Sequence, residues 1–337
     1  MEWRAFDFDG EASALLPLFA GQRHSFLLES SQRHPERGRY SFLGGDPFYV
    51  FESSSSDALS QLRKLWQSWR ELSPSEDMVP SPFGAGLVGY ISYDFGRELA
   101  AVSRRKCSPG CPGVFFGFYD TVVTVDHIQN KLYIMSNGLP ERSQSGRGKK
   151  ARQRISEMSA RLPEVLSSAA NSHAVWGDES GVGAIPLQGN FSKGEYLAAV
   201  TRAKEHIRRG DIYQVNLAQE FRLDTLALEW AVDPVVLYQL LRNESPSCFG
   251  AYFDAGERQI ISSSPERFFN LRGKDVTTRP MKGTRPRGMF PTEDGTLRRS
   301  LLKSAKERAE LLMITDLMRN DLGRVCEFGS VSVEQLR

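Results

Sequence analysis

Four short stretches gather side chains capable of acid–base, nucleophilic or metal chemistry. The first is Ser264-Pro265-Glu266-Arg267, which follows the apolar pair Ile260-Ile261. A carboxyl at a strand end, partly shielded from water, is suited to general-acid work. By spacing alone it reads more simply as a surface acid paired with Arg267. The second runs from Arg279 to Gly288 and holds Arg279, Lys282, Arg285 and Arg287 with Gly283 and Gly288. Glycine lets backbone approach a ligand closely, and arginine forks suit carboxylates. Lys282 sits between Met281 and Gly283. Desolvation and neighbouring positive charge favour an uncharged amine, the form a nucleophile or base requires. A basic turn exposed to solvent accounts for the pattern equally well.

The third stretch is Lys303 to Leu312, where Glu307 and Glu310 stand three apart and so share a helix face. Two surface pairs, Lys303 with Glu307 and Lys306 with Glu310, are the ordinary reading. The same face continues with Ile314 and Leu317, and carboxylates on a partly apolar face suit Mg²⁺, which takes one or two carboxylates plus substrate oxygens. In the fourth, Gln214 and Asn216 lie two apart on a strand candidate and so face one side. Amides there could orient a polar ligand, although a half-exposed strand face is the simpler reading.

The elements that must position these groups fall into two blocks and a connector. Residues 1–136 carry strand-like runs at Phe26-Leu27-Leu28, Tyr40 to Leu43, Phe115 to Tyr119, Val122 to Val125 and Lys131 to Met135, each bounded by turn residues. Ala58 to Leu72 reads as an amphipathic helix with Leu59, Leu62 and Leu65 on one side. Residues 137–188 form a polar connector with one helix around Ala151 to Leu166. Residues 189–337 open with the Ser192-x-x-Glu195 spacing of a capping box and a helix stopped by Gly210. Ile212 to Phe221 reads as a strand and Val235 to Arg242 as a helix. Phe249 to Phe253, Gln259 to Ser263 and Phe268 to Leu271 read as hairpin-type strands. Leu301 to Met318 is the strongest helix signal. Hairpin strands with segregated helices predict an α+β fold of largely antiparallel sheets.

Composition narrows the function classes. Among 337 residues, Lys plus Arg total 43 and Asp plus Glu total 41, a net charge of +2. That balance argues against a nucleic-acid surface over the whole protein, and the basic run Ser143 to Lys150 reads as a solvated face. No apolar run is long enough for a membrane span, and the N-terminus lacks a secretory pattern. Four cysteines in a chain this long make no disulfide framework. Cys107 and Cys111 read as reduced thiols, and the expected location is the cytoplasm.

Taken together, these stretches resemble the chorismate-utilising enzymes, the family of the large subunits of anthranilate synthase and aminodeoxychorismate synthase. The resemblance is carried also by Phe26 to Ser30, Gly38 to Gly44, Gly86 to Asp94 and Asp316 to Arg324. It implies a two-lobed sandwich of antiparallel sheets with helices outside. It implies that Glu266 is the general acid for the C4 hydroxyl of chorismate, and that Glu310 with Glu307 holds Mg²⁺ against the substrate carboxylate. Gly283, Thr284 and Gln214 become substrate contacts. Relatives that add water carry a lysine base where this chain has Gln214. Anthranilate synthases usually carry alanine where this chain has Lys282, whereas aminodeoxychorismate synthases carry a lysine that acts as the nucleophile. The resemblance therefore implies 4-amino-4-deoxychorismate formation in folate synthesis, with anthranilate formation as the alternative. It also implies a heterodimer with a glutamine amidotransferase subunit that supplies ammonia, since no Cys/His glutaminase pattern occurs here.

The family's tryptophan pocket corresponds to Ser30, Arg37, Gly38, Arg39, Tyr40, Cys248, Phe249 and Gly250, with Cys248 where proline is usual. Family chains run on by roughly 100 residues, well beyond terminal fraying. That part supplies a histidine, an arginine and a further Mg²⁺ glutamate. The expectation is accordingly a C-terminally truncated catalytic domain. The contrasting class is a non-catalytic remnant that binds tryptophan or the amidotransferase.

Overall fold

In a computed structural model, the chain is described at residues 1–34, 37–72, 79–99, 112–171, 187–224 and 233–334. Its apolar runs pair with one another, often across long stretches of chain. The strands are β1 (Glu2–Asp7), β2 (Phe26–Glu29), β3 (Tyr40–Gly44), β4 (Tyr49–Ser53), β5 (Gly86–Ile91), β6 (Val114–Tyr119), β7 (Thr121–Asp126) and β8 (Lys131–Ser136). They continue with β9 (Gln188–Gly189), β10 (Phe221–Arg222), β11 (Phe249–Asp254), β12 (Gln259–Ser264), β13 (Asn270–Arg272) and β14 (Asp275–Thr277). The helices are α1 (Ala58–Arg70), α2 (Phe95–Leu99), α3 (Gln144–Asn171), α4 (Lys193–Arg209), α5 (Pro234–Glu244), α6 (Pro291–Lys303) and α7 (Ala305–Gly323).

The chain divides into two units, residues 1–169 with 238–337, and residues 170–237. In the first, a seven-stranded sheet runs β1-β8-β7-β3-β2-β11-β12 and a three-stranded sheet runs β4-β6-β5. All pairings among the described residues are antiparallel. The fold is thus the α+β class expected. β11 joins β2 with Tyr252 opposite Leu27, so the blocks read along the sequence as 1–136 and 189–337 share one sheet. Phe26, Val88, Phe115, Tyr119, Val122 and Phe253 form a buried cluster between the two sheets. On the other face of the small sheet, Leu59, Leu62 and Leu65 of α1 pack on Phe51, Val114 and Phe118, which is the stripe the helical period predicts.

Two expectations are corrected. Ile212 to Phe221 is not a strand; only Phe221–Arg222 pair, with Gln188–Gly189. A strand exists through its ladder, and among the described strands none pairs with residues 212–220. The helix read over Leu301 to Met318 is broken at Ser304, which ends α6 and caps α7. Its backbone is extended at ψ 116°, and its hydroxyl accepts a bond from the Glu307 N–H. In the second unit, the capping box of Ser192 and Glu195 and the left-handed Gly210 stand as expected. Cys107 and Cys111 lie outside the described residues. No helix among the described residues is long and apolar enough to cross a membrane.

Candidate active site

The segment from Met281 to Arg285 is in neither helix nor strand and lies between β14 and α6. Glu266 stands just beyond β12, and its carboxylate does not pair with Arg267. Instead Glu266 Oε1 accepts a hydrogen bond from the Met281 N–H at 2.8 Å. The acid is thereby held one residue away from Lys282. Among the described residues, Lys282 has no ion pair or hydrogen bond through its amine, and its side chain is half-buried.

Gly283 follows at φ +80°, a left-handed conformation that a Cβ would strain. A Cβ there would also meet Glu307 Oε2 at 2.7 Å and Leu301 Cδ1 at 3.0 Å. Arg285 Nη1 donates to the Thr284 carbonyl at 2.7 Å and to Glu307 Oε1 at 3.3 Å. Glu266, Lys282, Gly283, Thr284 and Glu307 therefore gather around one turn.

Glu310 lies one helical turn further along α7, with Lys306 Nζ at 3.8 Å. That is one of the two surface pairs the spacing predicts. The other, Lys303 with Glu307, is replaced by the Arg285 contact. No group of three or more His, Cys, Asp or Glu among the described residues is arranged to hold a metal ion. Each carboxylate has a cation beside it, Arg285 at 3.3 Å from Glu307 and Lys306 at 3.8 Å from Glu310, and the side chains are 16% and 43% exposed. Gln214 lies in the second unit and is half-buried, while Asn216 beside it is exposed.

A second group of residues surrounds the meeting of β2, β3 and β11. Ser30 is buried, and its hydroxyl lies 2.9 Å from the Tyr40 carbonyl and 3.0 Å from the Cys248 carbonyl. Arg39 is bound to the buried Asp126 at 2.7 Å and stacks on the Tyr40 ring. Burial alone would raise Asp126. The Arg39 bond and the N–H groups of Gln129 and Ile128 outweigh it, so its carboxyl stands below the ordinary range. Desolvation, with Asp126 nearby, pushes the Tyr40 phenol up. A Cβ on Gly250 would approach the Tyr238 hydroxyl at 3.2 Å and the Glu29 carbonyl at 3.3 Å. A Cβ on Gly38 would lie 2.2 Å from the Gln32 carbonyl. Ser30 and Arg39 thus bond to neighbouring segments, and Gly38 and Gly250 lie where a Cβ would be crowded. Cys248 Sγ lies 3.5 Å from the Gln32 carbonyl, and Arg37 Nε is buried without a partner among the described residues.

Arg267 links the two groups. Its guanidinium stacks 5.5 Å from the Phe249 ring. Desolvation, and then the charges of Arg279, Arg272 and Arg37, hold it below the ordinary arginine value.

Sequence reasoning missed the partners that set this geometry. Ser304-x-x-Glu307 repeats the spacing of Ser192-x-x-Glu195, so the cap was open to the same reading. Nothing local marks Arg285 as the partner of Glu307, or Met281 as the donor to Glu266.

Comparison with known proteins supplies the family. The profile of chorismate binding enzymes matches residues 20–337, and the chain belongs to that family. Anthranilate synthase component 1 of Thermus thermophilus is 34% identical over 338 residues, covering 97% of this chain and 68% of the relative. Aminodeoxychorismate synthase component 1 of Bacillus subtilis is 30% identical, covering 94% and 66%. The crystal structure of anthranilate synthase component I from Streptococcus pneumoniae TIGR4 aligns with a TM-score of 0.67 at 26% identity, covering 90% of this chain and 65% of that one. The chain spans about two thirds of the length of these relatives.

Proposed function

We propose that this chain aminates chorismate to 4-amino-4-deoxychorismate, with Lys282 as nucleophile and Glu266 as general acid. The observation that carries the reading is the 2.8 Å bond from the Met281 N–H to Glu266 Oε1. It ties the acid to the backbone of the residue before Lys282, whose amine has no partner among the described residues. The uncharged Lys282 nitrogen bonds to C2, the ring double bond shifts, and the C4–O bond breaks. Glu266 gives its proton to the departing hydroxide, which leaves as water. Ammonia then bonds to C4, the electron pair shifts back, and the C2–N bond breaks to release the lysine amine. Ammonia comes from a separate glutamine amidotransferase subunit. Glu310, more exposed than Glu307 and with the longer cation contact, is the carboxylate that would hold Mg²⁺, which when bound would neutralise a substrate carboxylate.

The contrasting product is anthranilate, favoured by the 34% identity to the Thermus thermophilus protein of that name. The amine at position 282 argues against it. The test is incubation with chorismate, Mg²⁺ and ammonium, with the product identified by mass and chromatography. Aminodeoxychorismate is expected from the unaltered chain, with a Lys282 adduct trapped during turnover. Lys282→Ala should lose that product by at least 100-fold. Anthranilate as the main product, or full retention of amination by Lys282→Ala, overturns the reading.

A further inference from the structure

We propose that Glu307 is a positioning residue, clamped to Arg285 so that the Lys282–Thr284 turn is fixed on the first turn of α7, and that it is not a metal ligand. The functional consequence rests on the reading of Lys282 as nucleophile; the geometry does not. One carboxylate oxygen of Glu307 is engaged by a cation and the other is packed towards Gly283. Oε1 faces Arg285 Nη1 at 3.3 Å, and Oε2 lies 2.7 Å from where a Gly283 Cβ would stand. The side chain is 16% exposed, against 43% for Glu310. Its own backbone is pinned, since the Glu307 N–H donates to the Ser304 hydroxyl at 3.3 Å.

Arg285 completes the clamp, because the same Nη1 also holds the Thr284 carbonyl at 2.7 Å. At the other end of the turn, the Met281 N–H is held by Glu266. Five residues are thus anchored at both ends by carboxylates from different elements. Among the described residues, the Lys282 amine is the group left without a partner between them. A divalent cation at Glu307 would have to displace a guanidinium or sit beside it, and like charges at such range repel strongly where water is partly excluded. Gly283 stands between the two anchors at φ +80°, a conformation that favours a residue without a Cβ.

The experiment uses the full 337-residue chain and does not need turnover. The variants are Glu307→Gln, Glu307→Asp, Arg285→Gln, Arg285→Lys and the double Glu307→Gln/Arg285→Gln. Circular dichroism and thermal melts first identify those that fold. The Lys282 amine is then labelled competitively with a small acylating reagent across a pH series and read by peptide mass spectrometry. Mn²⁺ binding is followed by water-proton relaxation, with Glu310→Gln alongside.

The clamp predicts at least a threefold change in Lys282 labelling rate for Glu307→Gln and for Arg285→Gln, in the same direction. It predicts no further change in the double variant, since one interaction is being removed twice. Arg285→Lys and Glu307→Asp should fall between those variants and the unaltered chain, because each keeps the opposite charges while changing the reach of the side chain. Mn²⁺ binding, or its absence, should be the same within twofold in Glu307→Gln as in the unaltered chain. A tenfold weakening of Mn²⁺ by Glu307→Gln overturns the proposal. So do additive effects in the double variant, or labelling rates that none of the substitutions moves. Failure of chorismate amination with the labelling pattern intact would remove the functional reading and leave the clamp standing.

Discussion

Glu29 shows how a single buried charge organises the first unit. Its carboxylate is buried and accepts bonds from the Tyr238 hydroxyl at 2.8 Å, Arg242 Nε at 2.9 Å and the Ser13 N–H at 3.2 Å. Arg242 is in turn paired with Glu11. The Phe26 to Ser30 stretch that carries the family resemblance is therefore a structural joint in which α5 is tied to β2. Tyr238→Phe leaves one acceptor of a buried charge short, and a bond of that kind is worth about 1.5–3 kcal/mol. Urea denaturation should show a loss of that size. His127 offers a pH-dependent counterpart. Its Nε2 lies 2.8 Å from the Ser41 hydroxyl. Burial, and then the charge of Arg33, hold the imidazole below its ordinary value. Between that lowered value and about 6.5, the unfolded chain binds more protons than the folded one, so stability rises with pH. The contribution is fully present above about 6.5 and is lost as pH falls through the folded value. His127→Gln should flatten the difference in unfolding free energy measured between mildly acidic and mildly basic solution.

At the scale of elements, the break at Ser304 matters more than the length of either helix. A continuous helix from Leu301 to Met318 would carry Glu307 in its interior. With α7 starting at Ala305, Glu307 falls in the first turn, where its N–H is unsatisfied by the helix and is taken by Ser304. A carboxylate in the first turn is also favoured by the helix dipole. The turn from Met281 to Arg285 then has a fixed object to rest on. Ser304→Ala should cost about 1 kcal/mol of stability, the usual worth of such a cap. It should also raise amide hydrogen exchange in the first turn of α7, read by mass spectrometry. Unchanged exchange there would mean that the cap does not set the helix start. The local signals that were legible share one property, which is that their partners lie within a few residues. Ser192 with Glu195, Gly210 and the Leu59-Leu62-Leu65 stripe are of this kind. The two contacts that build the candidate site span 15 and 22 residues, and no periodicity encodes them.

Over the whole molecule, burial is uneven. β7 is buried along its full length, and Leu132 and Ile134 of β8 are inaccessible. α6 and α7 bury no residue, and Phe268, Met289 and Phe328 are exposed. Opening free energies follow buried contacts, so amide protection should be greatest in β7 and β8 and least in α6 and α7. Hydrogen exchange resolved by peptide would show this order, and equal protection throughout would contradict it.

Charge balance, strand and helix character and the co-occurrence of motifs were all available from the order of residues, because they depend on composition, on short-range spacing and on likeness to a family. The joining of Phe26–Glu29 to Phe249–Asp254, the pairing of Arg285 with Glu307 and the delivery of Glu266 to Met281 were not. Each is a choice among many distant partners, made by the cost of leaving backbone and charged groups unpaired once the sheets have closed. Chemistry was therefore readable as a set of candidate side chains, and its arrangement became readable when the folded chain placed an acid, an amine and a clamp on one turn.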